Sequence, residues 1–574
     1  MLFTIEVNNK QIKALKGETI LSALNRNGIS VPTLCYMPKL SPTGACRMCV
    51  VEIEGKSDLI PSCSFPVEEW MKIRTHSPRV IKARKTLVEL LLANHPDDCL
   101  YCVRNTNCEL QKLASEHNVR ERRFHGRKSV LKLDQSCAAI VRDPSKCVLC
   151  GRCVRVCSEI IGVSTFEFTN KGIDTAVGTT YGKPLNLSNC ITCGQCILEC
   201  PTGALYEKES FSLLQETLHN TEIYPVIQCS PSVSVAIAEE YGIKAGKDFQ
   251  GLLFAALRKI GFRKVYDTGF GNDINALNVA TELADRIRNN EKLPMFNSCC
   301  PAWVKYAEQY LPELLPQLSQ QRSPQQLMGR LIKQNLFTAN SISPEKIFSV
   351  SVMPCTAKKF EAQRQEMTFN SVSDVDMVLT TRELAKLFRL NGIDFTAGES
   401  ELADSPFGIK STASRLYGIS GGVAESVLRS LHFQLTGIEM PQVKVPKIRG
   451  LKARKDVRIQ MGDFEVGVIA VSTVIQLQQV LKEIESGKSV YHLIEVMACP
   501  GGCINGGGQP FTKDENALTA RMKAIYDSDE KDSVKSAHKN PGINEAMRLI
   551  IKELEGNETH NKFVATFEKR SVLL

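Results

Sequence analysis

Two cysteines, Cys499 and Cys503, sit in the stretch Glu495-Val-Met-Ala-Cys-Pro-Gly-Gly-Cys-Ile-Asn-Gly-Gly-Gly-Gln-Pro510. Thiolates are ligands for soft metals. Gly501, Gly502, Gly506, Gly507 and Gly508 tolerate tight turns and close backbone approach. The pattern suggests backbone wrapped around a bulky group, with the glycines making room for it. A plain Gly-rich loop would read the same from this stretch alone, and the deciding residues lie upstream. The chain has 22 cysteines, most of them in tight groups before residue 201. Met1 to Asn9 read as a strand rather than a signal peptide, and no apolar run approaches the length that spans a bilayer. The chain is therefore expected to be soluble and cytoplasmic. In that reducing setting, ligation explains so many thiols better than disulfides do.

The most specific signal is a pair of runs, Cys147-x2-Cys150-x2-Cys153-x3-Cys157 and Cys190-x2-Cys193-x2-Cys196-x3-Cys200-Pro201. In the two-cluster bacterial ferredoxin pattern, the fourth cysteine of each run ligates the other cluster. Cys147, Cys150, Cys153 and Cys200 are thus assigned to one 4Fe-4S cluster, and Cys157, Cys190, Cys193 and Cys196 to a second. Nearer the N-terminus, Cys35, Cys46, Cys49 and Cys63 suit a 2Fe-2S cluster, with zinc as the alternative. Ten residues separate Cys35 from Cys46, where the plant-type spacing has four, so the arrangement resembles the ferredoxin-like domain of multi-cluster oxidoreductases. Between these groups lie His95, Cys99, Cys102 and Cys108. One imidazole and three thiolates could hold tetrahedral zinc; their place between two cluster modules favours a 4Fe-4S cluster with one histidine ligand. Cys137 fits no group and reads as a buried free thiol.

These ligands need elements to hold them. Residues 1–80 read as a small β-rich unit, with a hairpin of Phe3–Val7 and Gln11–Leu15, a short helix from Thr19, and a strand from Cys49 to Glu54. Residues 81–125 and 126–209 would carry the next two modules. From about 210 the texture changes to alternating strands and helices. Strands are expected at 224–228, 346–352, 376–379, 464–469 and 492–496, and helices at 251–261, 275–290 and 473–486. That alternation argues for an α/β catalytic half spanning 210–574, with its site at strand carboxyl ends. Residues 525–557 read as charged helices on a C-terminal surface. The fold class expected is multidomain, α+β cluster modules followed by an α/β domain.

Three stretches in that half line up: Asn297-Ser-Cys-Cys-Pro-Ala-Trp303, Met353-Pro-Cys-Thr-Ala-Lys-Lys-Phe-Glu361 and the opening stretch. With them the chain resembles the iron-only (FeFe) hydrogenases, in the long monomeric clostridial form with four accessory clusters, and the resemblance covers essentially the whole chain. It implies that Cys300, Cys355, Cys499 and Cys503 hold a 4Fe-4S cluster. Cys503 would also bridge to a diiron subsite carrying carbon monoxide, cyanide and an azadithiolate. It further implies that Cys299 passes protons, that Lys358 bonds a cyanide ligand with help from Ser232 and the backbone at Pro231, and that Met353 and Met497 wall the pocket. A thiol with the ordinary pKa of ~8.5 would serve as a proton donor and acceptor. The implied reaction is the reversible oxidation of dihydrogen to protons and electrons. Ferredoxin or a similar acidic carrier would be the partner, and maturation proteins would install the cofactor.

The family's proton route runs from the cysteine through a Glu, a Ser, a second Glu and an Arg. Glu282, Ser319 and Arg286 match three of these, but Val279 stands where the first Glu aligns. Valine cannot relay a proton, so an altered catalytic bias is expected. Asn297 replaces the usual Thr and Ala302 the usual Gly, while Cys229-Ser230 precedes Pro231 where Ala is commoner. The remaining charge adds one feature. The net charge of +9 is mild, but Arg120, Arg122, Arg123, Arg127 and Lys128 form a basic run. That run reads as a solvated face or a patch for an acidic electron carrier. No aromatic–basic interleaving points to nucleic acid.

Overall fold

The computed structural model describes all residues except 122, 129–131, 489, 513, 515, 532, 547, 549–563 and 572–574. Arg122 of the basic run and residues 549–557 of the expected C-terminal helices thus lie outside the described residues. The chain divides into two compact units.

The first unit comprises Met1–Ile160, Ser164–Ser188 and Cys196–Tyr206. Its N-terminal hairpin forms as expected, pairing Leu2–Val7 with Lys10–Leu15 in antiparallel register from Leu2↔Leu15 to Val7↔Lys10. Asn8 and Asn9 take φ of 49° and 66°, as the two-residue turn between right-twisted strands requires. Lys72–Arg74, Val50–Ile53 and Ile60–Pro61 complete a five-stranded sheet. Alternate residues Ile5, Val7, Ile12 and Ala14 face inward and pack on Ile20, Leu21 and Leu24 of the helix Ile20–Arg26. The Thr19 hydroxyl caps that helix by accepting from the Ser22 N–H at 3.2 Å, which satisfies one of its unpaired first-turn donors. Helices Pro78–Asn94 and Glu109–Glu116 follow.

The second unit holds two sheets. Four parallel strands run in the order Lys264–Asp267, Tyr224–Cys229, Ile347–Met353, Met377–Thr380. They are buried nearly throughout, as parallel strands covered on both faces must be. The other sheet runs Met295–Phe296, Leu493–Met497, Phe464–Ser472, Arg454–Met461, with only its last pair antiparallel. Every expected strand of this half is present. The helix expected over 275–290 begins six residues earlier and spans Gly269–Asn289. Gly269 and Gly271 hid its start, and Gly271 is there for packing: a Cβ on it would lie 2.6 Å from the Pro324 carbonyl oxygen of helix Pro324–Asn340.

The C-terminal helix Ala517–Lys531 bears out the surface reading on one face and corrects it on the other. Ala517, Arg521, Ala524, Ile525 and Asp529 are buried in it. Arg521 grips Glu239 at 2.6 and 2.7 Å, and Asp529 accepts from both Arg429 and Arg449. Arg521 and Asp529 are thus internal ion-pair members, while Lys523, Asp527, Glu530 and Lys531 face solvent. Among the described residues no helix is long and apolar enough to cross a membrane.

Candidate functional site

The three cysteine-bearing stretches leave the carboxyl ends of parallel strands in both sheets. Asn297–Cys300 follows Met295–Phe296, Pro354-Cys355 follows Ile347–Met353, and Ala498-Cys499 follows Leu493–Met497. Cys300, Cys355, Cys499 and Cys503 stand close enough that the charge of each bears on its neighbours. Burial dominates all four, pushing Cys355 up to about 11 and raising the other three. Low-dielectric surroundings oppose a bare thiolate, and a bound cation reverses that balance. Soft, convergent and at least partly buried, these donors fit an iron–sulfur cluster.

Cys299 differs from its expected behaviour. Its thiol is pushed up to about 12, burial being the main cause and Lys358 opposing it. The ordinary ~8.5 assumed from composition therefore does not hold, because the thiol is packed against low-dielectric core. At neutral pH it holds its proton. The Asn297 amide donates to Cys299 Sγ at 3.0 Å, and the Asn297 Oδ1 accepts from the Val496 N–H at 2.8 Å. The sequence flagged Asn297 only as a replacement; in the fold it ties Cys299 to the neighbouring strand.

Lys358 is buried as an ammonium. Burial works against its charge, but the Glu361 carboxylate outweighs it, and the group is held above its usual range. Its Nζ donates to both Glu361 oxygens, at 2.8 and 3.1 Å, which leaves one of three hydrogens for another acceptor. Glu361 also accepts from Ser323 at 2.9 Å and Gln325 at 3.3 Å. Sequence reasoning gave Glu361 no role although it closes the second motif; its spacing of three from Lys358 on a helix was the available signal. Ser232 is buried, and its carbonyl accepts from Gln509 Nε2 at 3.0 Å. Met497 belongs to the main core cluster, against which Cys299 packs, whereas Met353 sits with Val375 and Val378. Cys229 is packed into apolar core with Ile227, Val233 and Val350.

The glycines of the third motif overturn the expectation that they clear space for a cofactor. A Cβ on Gly506 would lie 2.1 Å from the Pro354 carbonyl oxygen, one on Gly507 2.3 Å from the Cys193 carbonyl oxygen, and one on Gly502 2.5 Å from the Ser420 nitrogen. On Gly508 it would meet the Thr380 side chain at 2.8 Å. Protein, not a cavity, fills those positions. The glycines let one loop touch several others.

Glu282, Ser319 and Arg286 come together. Ser319 Oγ donates to Glu282 Oε2 at 2.8 Å and Arg286 Nη2 donates to Glu282 Oε1 at 2.6 Å. The Gln320 N–H adds a bond at 3.3 Å. Val279 lies one turn earlier on the same helix face, 3% exposed and within the apolar core. The C-terminal segment lies beside this group: Val564 pairs with Gln321, and the Ala565 N–H donates to the Gln320 carbonyl at 2.7 Å.

Comparison with known proteins places this arrangement. A model of the C-terminal domain of the iron-only hydrogenase large subunit matches residues 223–507. Models of a 2Fe-2S cluster binding domain, the NADH-ubiquinone oxidoreductase-G iron–sulfur binding region and a 4Fe-4S dicluster domain match 2–78, 84–123 and 139–201. The NADP-reducing hydrogenase subunit HndD of Solidesulfovibrio fructosivorans is 37% identical across 100% of both chains. The chain belongs to the iron-only (FeFe) hydrogenases. Iron hydrogenase 1 of Clostridium pasteurianum is 36% identical over 94% of this chain and 95% of its own. The structure of the FeFe hydrogenase HydA1 from Chlamydomonas reinhardtii matches 62% of this chain and 98% of its own, with 29% identity and a TM-score of 0.56. As an FeFe hydrogenase the chain is an oxidoreductase, with 2Fe-2S and 4Fe-4S binding domains ahead of the hydrogenase domain.

In the first unit of this hydrogenase the accessory thiols are also gathered. Cys35 hydrogen-bonds Cys46 and Cys63, and Cys63 hydrogen-bonds Cys49, joining the four into one group. Cys147, Cys150, Cys153 and Cys200 line one cavity of about 450 Å³, its open mouth included, walled by Val148, Phe166 and Val177. His95 is buried at the end of helix Pro78–Asn94, and Cys108 precedes Glu109–Glu116. A Cβ on Gly203 would sit 2.6 Å from Cys102 Sγ. Cys99 opens the turn that ends at Cys102. Of the remaining set, Cys157 and Cys196 belong to the first unit and Cys190 and Cys193 to the second. Backbone N–H groups donate to Cys157 Sγ at 3.3 Å and Cys190 Sγ at 3.4 Å. Cys137 is buried, accepting from the Ala139 N–H at 3.5 Å. Among the described residues no three His, Cys, Asp or Glu side chains are placed to hold a single metal ion.

Proposed function

We propose that the chain catalyses the reversible oxidation of dihydrogen to two protons and two electrons. The supporting observation is the meeting, at strand ends of two sheets, of four clustered thiols with the buried Lys358 ammonium and the Cys299 thiol. Cys300, Cys355, Cys499 and Cys503 would hold the H-cluster, with Cys503 bridging its 4Fe-4S and diiron parts. When bound, that group supplies the redox-active metal and the base for heterolytic cleavage of dihydrogen. The chain's own residues do the rest. Lys358, with Ser232 and the backbone at Pro231, would anchor the anionic ligands, since a buried ammonium with one free hydrogen seeks an acceptor. Met353 and Met497 would form soft apolar walls that exclude water. Cys299 would donate and accept the proton at its Sγ, and Glu282, Ser319 and Arg286 would carry it outward, with Val279 interrupting the inner end and biasing the direction of turnover.

In this reading residues 1–80, 81–125 and 126–209 are electron-transfer modules with one 2Fe-2S and three 4Fe-4S clusters, and 210–574 is the catalytic domain. The electrons go to ferredoxin or a similar carrier in the cytoplasm. Full-length similarity to a subunit of an NADP-reducing hydrogenase favours a second possibility for the carrier, a partner subunit, over a chain acting as a monomer. Infrared spectroscopy of the matured protein tests the reading. Carbonyl and cyanide stretches together with dihydrogen uptake are expected; their absence from an iron-replete protein refutes it.

A further inference from the structure

The turn Cys99–Tyr101, which runs between the expected ligands Cys99 and Cys102, leaves its two apolar side chains in solvent. Leu100 is 85% exposed and Tyr101 89%. An adjacent leucine and aromatic left in water beside an electron-transfer site are contact residues in search of a partner. A basic groove lies on helix Pro78–Asn94, lined by its Lys82, Lys85 and Glu89 and by Arg120, Glu121 and Arg123 of the later chain. Glu89 is already taken by Arg123, whose Nε donates to it at 2.9 Å, so the groove keeps a surplus of positive charge. Groove and turn are joined. From Arg123 the chain runs along helix Pro78–Asn94, pressed so close that a Cβ on Gly126 would lie 2.2 Å from Asn94 Oδ1. It then places Lys128 on Asp97, two residues before Cys99.

We propose that this face, from the Lys82–Arg120 groove to the Leu100-Tyr101 apex, is the docking surface for a small acidic electron-carrier protein. Basic residues steer and orient an acid-faced partner, and the apolar apex makes the short-range contact that brings its redox group near the cluster of Cys99 and Cys102. A second copy of this chain is a poor occupant, because it would set one basic groove against another in a chain of net charge +9. The proposal rests on the electron-transfer reading of the N-terminal modules and not on the chemistry of the H-cluster.

The test is calorimetric binding of an acidic two-cluster 4Fe-4S ferredoxin to the full-length holoprotein at about 50 and about 300 mM salt, between which the screening length falls by a factor of about 2.4. The K82E/K85E variant is expected to bind at least tenfold more weakly at low salt and to lose most of the salt dependence. Y101S is expected to bind about fivefold more weakly with unchanged iron content. Dihydrogen oxidation with methyl viologen, a dye that needs no docking face, is expected to stay within twofold in both variants. Unchanged affinities in both variants, no binding by the parent chain at low salt, or self-association that excludes the carrier would each overturn the proposal. Loss of dye-driven activity in the parent chain would instead count against the hydrogenase reading, with the docking face still judged by its affinities.

Discussion

Val279→Glu tests the proposed proton route to Cys299. Val279 is 3% exposed, one helical turn before Glu282 and in the apolar cluster against which Cys299 packs. A carboxyl placed there stays protonated, because burial in that apolar cluster disfavours the anion. Two costs follow: about 1–3 kcal/mol for a buried polar group that finds partners incompletely, and about 1–3 kcal/mol for the added volume. At roughly 2–4 °C per kcal/mol for a domain of this size, the thermal midpoint should fall by about 5–20 °C. Catalysis should move the other way. A positioned acid–base group contributes about 10²–10⁴ in rate, so if the missing carboxyl limits proton delivery, turnover should rise at least ~10-fold in the proton-limited direction. Protein-film voltammetry of Val279→Glu against the enlarged but apolar control Val279→Leu, from about pH 6 to 8, makes the comparison. Equal catalytic currents and an unchanged pH profile, in a variant with intact carbonyl bands, would show that the proton bypasses position 279 and refute the interrupted-relay argument.

Four further outcomes are expected. Glu361→Gln leaves the Lys358 ammonium buried without its counter-charge and should destabilise the catalytic domain by about 3–5 kcal/mol in urea; a midpoint within experimental error of the parent contradicts the pairing. Asp529, 2% exposed, is raised by burial, but Arg429 and Arg449 outweigh that and hold its carboxyl well below the usual range. Its contribution is therefore present above about pH 4 and lost as pH falls further, so Asp529→Asn should cost about 3–5 kcal/mol at neutral pH and progressively less on acidification, whereas a gap that widens in acid has the wrong sign. Gly507→Ala drives a methyl group into the Cys193 and Gly194 backbone and should lower both thermal midpoint and iron content, which a normally loaded variant would disprove. Ala565→Pro deletes the N–H that holds the Gln320 carbonyl and should speed amide hydrogen exchange at Ser319 and Gln320; unchanged protection would show that the C-terminal segment does not support the relay.

Much of the architecture is legible from the chain alone. Strands ending at Cys229, Met353 and Met497 can be placed because buried parallel strands are short apolar runs flanked by turn residues. Thiols spaced two and three apart are the ordinary mark of cluster ligation. The four thiols grouped by that spacing, Cys147, Cys150, Cys153 and Cys200, line one cavity. What stays hidden depends on distance in space rather than along the chain. Helix Gly422–Thr436 is buried on nearly every side and shows no amphipathic stripe to find. The interior role of Arg521 and Asp529 comes from partners 282 and 100 residues away. Cys299 carries a misleading reference value because its pKa is set by burial, which no local pattern records.

The glycine loop shows why such errors matter for mechanism. If Gly506, Gly507 and Gly508 cleared room for a cofactor, a methyl group there would reach the pocket and could be tolerated by a smaller ligand. The structure puts the Pro354 carbonyl, the Cys193 backbone and the Thr380 side chain at those places instead. One loop thereby fixes Cys503 against the strand end that carries Cys355, while Gly502 fixes it against Ser420. The two sheets have no hydrogen-bonded strand in common, so the separation of their cysteines rests on loop contacts such as these. A cluster needs its four sulfurs at fixed separation, and backbone-on-backbone contact, closer than any side chain allows, is the stiffest way to set it.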